Sequence, residues 1–397
     1  MKNCMYVFVL FWGVGCSVQK KTDEQTDTLK NNKLFVVDVD IKLEESFIHT
    51  SSVFNNVKTI ILETTKNSLI SPLFKFIAFD NYLFILNLYP SKDFLLFDRD
   101  GKFIRKIGGL GGGPGEYTRV FDFTIDTSNR IIYLLCNLSI NKYSIDGTYI
   151  GSIRLEKHSS YIQYAHGKLL YADLYDKFML KEIDIETGKV IGRFLENDLH
   201  NKGWNTPSFS YGGDPFKHRS VETPKFVYLF MDTIFTIHQN GPMPHLVIKS
   251  KHLTNNSDIK TTIGREPIER IKAIRTKNKI FNIHNYFETK NHFFFFYEQG
   301  NTLFPIFYCL ETDTYKKAFL QNDLVFNEPI LVNIPNFIFS DSNGVYECFN
   351  QPLSQELFLE WIKEGYLALN LDKRDQLMKL NEDSNPVIFY YSYDDEE

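Results

Sequence analysis

The sequence predicts an all-β protein, a six-bladed β-propeller with short helical insertions near residues 260–278 and 354–380. Three observations carry the prediction: an aromatic-rich composition, a recurring hairpin motif, and a rhythm of three or four short apolar-alternating runs per period. Phe (36), Tyr (22) and Trp (3) supply 15% of the residues, and such side chains suit pleated, half-buried surfaces. The motif aromatic-x-x-Asp-Gly-x-aromatic-Ile occurs at Phe97-Asp98-Arg99-Asp100-Gly101-Lys102-Phe103-Ile104 and again at Tyr143-Ser144-Ile145-Asp146-Gly147-Thr148-Tyr149-Ile150, 46 residues later. Asp-Gly between alternating apolar runs marks a hairpin, because the turn requires positive φ.

A third copy, Ile185-Glu186-Thr187-Gly188-Lys189-Val190-Ile191, follows after 41 residues, and Leu310-Glu311-Thr312-Asp313-Thr314-Tyr315 is a weaker fourth. Within the first period the runs are Leu73–Phe79, Tyr82–Asn87, Phe94–Asp98 and 103–107. Four strands every 40–50 residues is the rhythm of a propeller blade. From about residue 53 to 393 the chain spans roughly 340 residues; removing insertions of about 30 and 35 leaves about six blades of about 46. The skipped repeat falls on 225–230 and Thr233–His238. One insertion, 250–279, carries Ile268, Ile271 and Ile274 at three-residue steps, the pattern of an amphipathic helix. The other holds two helix-like stretches, 354–363 and 372–380. A last strand, 387–391, would close the ring beside an N-terminal strand such as 57–62 and so protect its edges.

The first residues read as an address. Lys2 precedes ten uncharged, mostly apolar residues, 5–14, and then Gly15-Cys16. Ten helical residues rise about 15 Å, half a bilayer, so the run fits a secretory signal and not a span. Gly13-Val14-Gly15-Cys16 resembles a bacterial lipobox, with Gly13 where leucine is usual. The organisation expected is a signal peptide at 1–15, lipidation at Cys16, a polar tether at 16–33 and the propeller at 34–397. Cys136, Cys309 and Cys348 sit in strand-like runs without metal or redox spacing and read as free, structural thiols, with a single disulfide left open.

Lys and Arg number 44 against 49 Asp and Glu, a formal net charge of -5. Without a basic excess the chain lacks the footprint of a nucleic-acid binder. None of the ten histidines forms HxH or HExxH, and there is no GxSxG elbow. Ser340-Asp341-Ser342-Asn343-Gly344 is similar to a sialidase Asp box with its aspartate one place early.

The most distinctive segment is Gly108-Gly109-Leu110-Gly111-Gly112-Gly113-Pro114-Gly115-Glu116-Tyr117. It is no P-loop, lacking Lys-Ser/Thr, and no dinucleotide loop, since a strand follows it. Two readings stand. In one, the glycines permit a tight crossing between blades while Glu116 and Tyr117 fasten the turn. In the other, Glu116, Tyr117 and Arg119 face a binding mouth. A second loop, 203–216, is long and polar-aromatic; Trp204, Tyr211 and Phe216 would either pack on their own blade or offer stacking faces to a sugar or peptide.

The run 97–107, then Gly-Gly-Gly-Pro-Gly-Glu-Tyr, then Phe121-Asp122-Phe123, resembles the six-bladed β-propeller lipoproteins of Bacteroides-type bacteria, propellers of the TolB-like or NHL-like kind. Asp232-Thr233-Ile234-Phe235, Ser384-Asn385-Pro386-Val387-Ile388 and the lipobox-like start fit the same group. The resemblance implies a fold and an address more than a chemistry: an outer-membrane lipoprotein of the cell envelope, bound to the membrane by its lipid. The composition of the two loops and the geometry of a propeller suggest a module that binds a glycan, a peptide or an envelope protein, with no cofactor and no identifiable catalytic residue. The rival reading is a Ca²⁺-dependent hydrolase or glycan-cleaving enzyme working in the central channel. Calcium needs six to eight oxygen ligands, and Asp122, Asp126 and Asp232 are the candidates.

Overall fold

A computed structural model describes residues 33–70, 73–87, 93–204, 213–217, 223–327, 337–349 and 352–394. Six four-stranded sheets form the blades of a propeller. From the axis outward, blade 1 is Leu73–Phe79, Tyr82–Asn87, Phe94–Asp98 and Phe103–Lys106. Blade 2 is Asp122–Asp126, Ile131–Leu135, Ser139–Ser144 and Tyr149–Arg154. Blade 3 is Ile162–Ala165, Lys168–Ala172, Phe178–Ile183 and Val190–Glu196. Blade 5 repeats the plan with Ile280–Glu288, His292–Gln299, Thr302–Cys309 and Thr314–Lys316.

Blades 4 and 6 take their outer strands from the start of the chain. Blade 4, Lys225–Phe226, Thr233–His238 and Gly241–Lys249, is completed by Phe35–Asp38, which runs parallel to Gly241–Lys249 with Phe35 opposite Leu246. Blade 6, Phe337–Ser340, Gly344–Cys348 and Val387–Ser392, is completed by the antiparallel strand Asn56–Ile61, with Val387 opposite Ile61. Ring closure at 57–62 is therefore as the sequence suggests, and the parallel strand on blade 4 is an addition to it. The helices Pro267–Thr276, Pro352–Lys363 and Arg374–Leu377 fall in the two expected insertions. Cys136, Cys309 and Cys348 are free thiols.

The Asp-Gly motif is the outer hairpin of blades 1 and 2, Thr187-Gly188 takes its place in blade 3, and the glycine can have a second task. Gly101 takes φ +90°, and a Cβ there would overlap the carbonyl oxygen of Ile61 on the neighbouring blade. Gly188 (φ +70°) meets Arg154 in the same way. The hairpin tips of blades 1 and 3 thus seat against the outer strand of the blade before, where only a glycine fits. Between blades the sheets bury apolar faces against each other. Phe94 and Phe123 meet at 4.6 Å between blades 1 and 2, and Tyr133 stacks on Tyr164 at 5.7 Å between blades 2 and 3.

Two polar chains tie the innermost strands. Lys75 of blade 1 bonds Asp122 of blade 2 at 2.5 Å and also the Phe123 carbonyl; Asp122 accepts the Ile162 amide of blade 3 at 2.8 Å. Lys225 of blade 4 bonds Glu288 of blade 5 at 2.8 Å, and the Glu288 amide donates to Ser340 Oγ of blade 6 at 3.3 Å. The Ser-Asn-Pro segment fixes the crossing from blade 6 to blade 1. Asn385 accepts from the Ile70 amide at 2.9 Å and donates to the carbonyls of Glu63 and Ser68, both at 2.8 Å.

Breaking a buried ion pair strands one charge in a low-dielectric site. Asp122→Ala should therefore cost about 3–5 kcal/mol of unfolding free energy in a denaturant titration, and the double change Lys75→Met with Asp122→Leu should recover most of it.

Candidate functional site in the central channel

The glycine loop is held by its own atoms. Glu116 is exposed, and its carboxylate accepts the Gly113 amide at 2.8 Å; the Tyr117 amide donates to Gly109 O at 2.8 Å, and the Gly111 amide to Tyr117 O at 3.1 Å. Tyr143 OH of blade 2 donates to Gly115 O at 2.9 Å. Tyr117 is buried among Phe94, Phe123 and Ile107, and burial pushes its phenol well above the ordinary value. Its ring therefore offers no stacking face to solvent: the apolar surface of a tyrosine is worth more under the blades than at a mouth. Arg119 is exposed, lies 4.5 Å above the Phe121 ring, and stands near His158, whose pKa is lowered first by burial and then by this cation.

The second loop requires a similar correction. Trp204 is fully buried, 4.7 Å from Phe230, and is covered by the Arg270 guanidinium of the inserted helix at 4.3 Å. Asn197 and Asn201 donate to its carbonyl at 2.8 and 3.3 Å. Phe216 is buried edge-on to Phe226 at 5.5 Å. Neither ring is an exposed platform. Both are anchors, because a long loop on a propeller face needs apolar pins to stay in place. Tyr211 and Cys16 lie outside the described residues.

What the loop does next is informative. The Lys217 amide donates to Lys225 O and the Val227 amide to Pro215 O, both at 3.0 Å, with Phe216 antiparallel to Phe226. Lys225–Phe226 already pairs outward with Thr233–His238. Residues 214–217 therefore stand on the inner side of blade 4, inside the channel. There they help to wall a cavity of about 290 Å³, whose other sides are residues 73–76 of blade 1, Asn282, His284, Asn285 and Phe287 of blade 5, and residues 337–340 of blade 6.

This wall is polar on one side and apolar on the other. Lys217 is partly exposed as a residue, but protein surrounds its ammonium group, and burial pulls its pKa down to about 7. Among the described residues its side chain has no hydrogen-bond or ion-pair partner. The acid nearest in effect, Glu298, is already engaged by Arg275 at 2.7 Å and Asn282 at 3.1 Å. His284, exposed as a residue, lines the same space, and its pKa is lowered first by the protein around its ring and then by Lys217. Opposite them, Phe74 is 46% exposed and Ile338 and Phe339 are half-buried. A second cavity of about 230 Å³ opens near Arg119, lined by His158, Ser159, Tyr161, Asp173, Tyr175 and Tyr228.

The proposed calcium ligands do not converge. Asp122 is bound to Lys75, Asp126 accepts from the Asn129 amide and side chain, and Asp232 faces Lys202 and Thr233. No group of three or more His, Cys, Asp or Glu suited to a metal occurs among the described residues. Sequence reading missed Lys217 and His284. The first directly follows the loop that ended at Phe216, and the second was one of ten histidines without a motif.

The chain belongs to the family defined by a domain of unknown function, DUF4934, whose model matches residues 34–392. Its fold is similar to that of a candidate exported protein of Bacteroides fragilis, 16% identical, covering 91% of this chain and all of that one with a TM-score of 0.72. It is also similar to a member of the DUF4221 family from Bacteroides vulgatus, 14% identical, covering 85% of this chain and 96% of that one with a TM-score of 0.50. No curated protein matches the sequence. Among the described residues no helix is long and apolar enough to cross a membrane.

Truncating a fully buried Trp leaves a large cavity, so Trp204→Ala should lower the unfolding free energy by about 3–5 kcal/mol. Arg119→Ala, on the surface, should change it by less than about 1 kcal/mol in the same titration. A pH series offers a separate check. Lys217 holds its proton less tightly folded than unfolded, so between pH 10.5 and 7 the unfolded state binds more protons, and this lysine costs more stability as pH falls. Lys217→Met should therefore raise the melting temperature by an amount that grows from pH 10 to 7 and then levels off.

Proposed function

We propose that this protein is a binding module of the bacterial cell envelope, held to the outer membrane by lipid on Cys16 and presenting its propeller channel to a ligand or partner. The observation that carries the reading is the channel cavity, with walls drawn from blades 1, 5 and 6 and from a segment laid inside blade 4. A wall assembled from four separate parts of the chain, polar on one side and apolar on the other, has the composition of a ligand pocket. The lysine in that wall costs stability, as expected of a group kept for something other than folding. Export is supported by the apolar run 5–14 ending in Gly15-Cys16 and by the candidate exported protein of the same fold.

The test has two arms. Metabolic labelling with palmitate should mark the wild type and not Cys16→Ser, which should leave the membrane fraction; a labelled Cys16→Ser protein would reject the anchor. A thermal-shift screen of glycans, peptides and small metabolites should find a stabilising ligand, since a ligand at about 100 times its Kd adds about 2.7 kcal/mol. Asn285→Trp, which fills the cavity, should abolish that response. A response that survives the tryptophan would place binding elsewhere.

A further inference from the structure

We infer that the channel cavity binds a small organic anion, its carboxylate or phosphate held by Lys217, His284 and Asn285 and its apolar body laid against Phe74, Ile338 and Phe339. The inference rests on the binding reading above and gives its ligand a chemistry. Lys75 is neutralised by Asp122 and bonded to the Phe123 carbonyl. Glu298, from the second strand of blade 5, is taken by Arg275 and Asn282. Asp214, on the same segment as Lys217, turns its carboxylate to the Phe216 amide at 2.9 Å. Besides the Asp214 carboxylate and Asn282, the polar side chains lining the space are the Lys217 ammonium group, without a hydrogen-bond or ion-pair partner among the described residues, the His284 imidazole, and the Asn285 amide, which can donate.

Lys217 and His284 line one space as two cation-forming groups; burial lowers the pKa of Lys217, and burial and then the Lys217 charge lower that of His284. An incoming oxyanion removes the repulsion, accepts hydrogen bonds from Lys217 Nζ, the His284 ring and the Asn285 amide, and restores the protons that the empty site sheds near pH 7. A neutral sugar or an unmodified peptide backbone would leave the ammonium group buried without a counter-charge. The opposite wall narrows the class further. Phe74, 46% exposed, lines the cavity together with Ile338 and Phe339, and such apolar lining favours an apolar or aromatic body over a fully hydrated inorganic ion. About 290 Å³ suits a molecule at the small end of the usual ligand range.

The probes are 4-methylbenzoate and its uncharged isostere 4-methylbenzamide, titrated calorimetrically into the full chain extracted in mild detergent. At pH 6 the carboxylate should bind at least tenfold more tightly than the amide. Raising the pH to 8.5 should weaken the carboxylate at least tenfold and leave the amide unchanged. Lys217→Met should lose the same factor at pH 6 while melting no earlier than the wild type, and His284→Gln should lose a smaller one. Equal binding of acid and amide would overturn the anion preference and leave a binding channel standing. Carboxylate binding that Lys217→Met does not weaken would overturn the assigned site. Failure of the carboxylate to bind would overturn the anion site, while the thermal-shift screen with Asn285→Trp decides the broader binding reading separately.

Discussion

The strand Asn56–Ile61 lying against Val387–Ser392 is the interaction on which the remaining architecture depends. A propeller blade buries both faces only if it has a neighbour on each side, so five blades and an incomplete sixth would leave two sheet faces and an edge in water. Six backbone pairs, from Val387 opposite Ile61 to Ser392 opposite Asn56, join the two ends of the fold. Asn385 then pins the crossing that follows, using three backbone groups of residues 63–70. With the ring shut, the inner strands are brought to one axis, and the channel exists as a consequence of closure.

Much of this fold was legible because its signals are local. Asp100-Gly101 and Asp146-Gly147 announce hairpins by turn chemistry alone, and the spacing between them gives the blade length. The sequence also marks its insertions, since Ile268, Ile271 and Ile274 follow a helical step inside an otherwise alternating pattern. Phe35–Asp38 could not be placed in this way. Its partner, Gly241–Lys249, is about two hundred residues distant, and nothing local distinguishes a parallel fourth strand on blade 4 from a strand that closes the ring.

The site was less legible, for a related reason. Aromatic residues in glycine-rich loops invite a reading as ligand platforms, yet Tyr117, Trp204 and Phe216 are the pins that hold those loops to the blades. Glu116 is spent on the Gly113 amide. The residues that do face the channel are unremarkable in one dimension: a lysine after a phenylalanine and a histidine in an alternating strand. They meet because blades 4 and 5 are neighbours and because residues 214–217 turn back along the inner strand. Periodicity can predict the ring, but it carries no information on which insertion enters the axis.

The outer strands of blades 4 and 6 have a consequence for the history of each molecule. Residues 35–61 leave the synthetic machinery before the strands they pair with: Phe35 waits for Leu246, and Ile61 waits for Val387. Blades 1, 2, 3 and 5 are built from consecutive strands and can assemble as they emerge, but the circle stays open until Val387–Ser392 has been made. Folding is thereby committed to a late step of very high sequence separation, which is intrinsically slow. Throughout that wait the open sheets present unpaired edges, the kind of surface on which chains associate wrongly. A faster closure would shorten that exposure without changing the final stability.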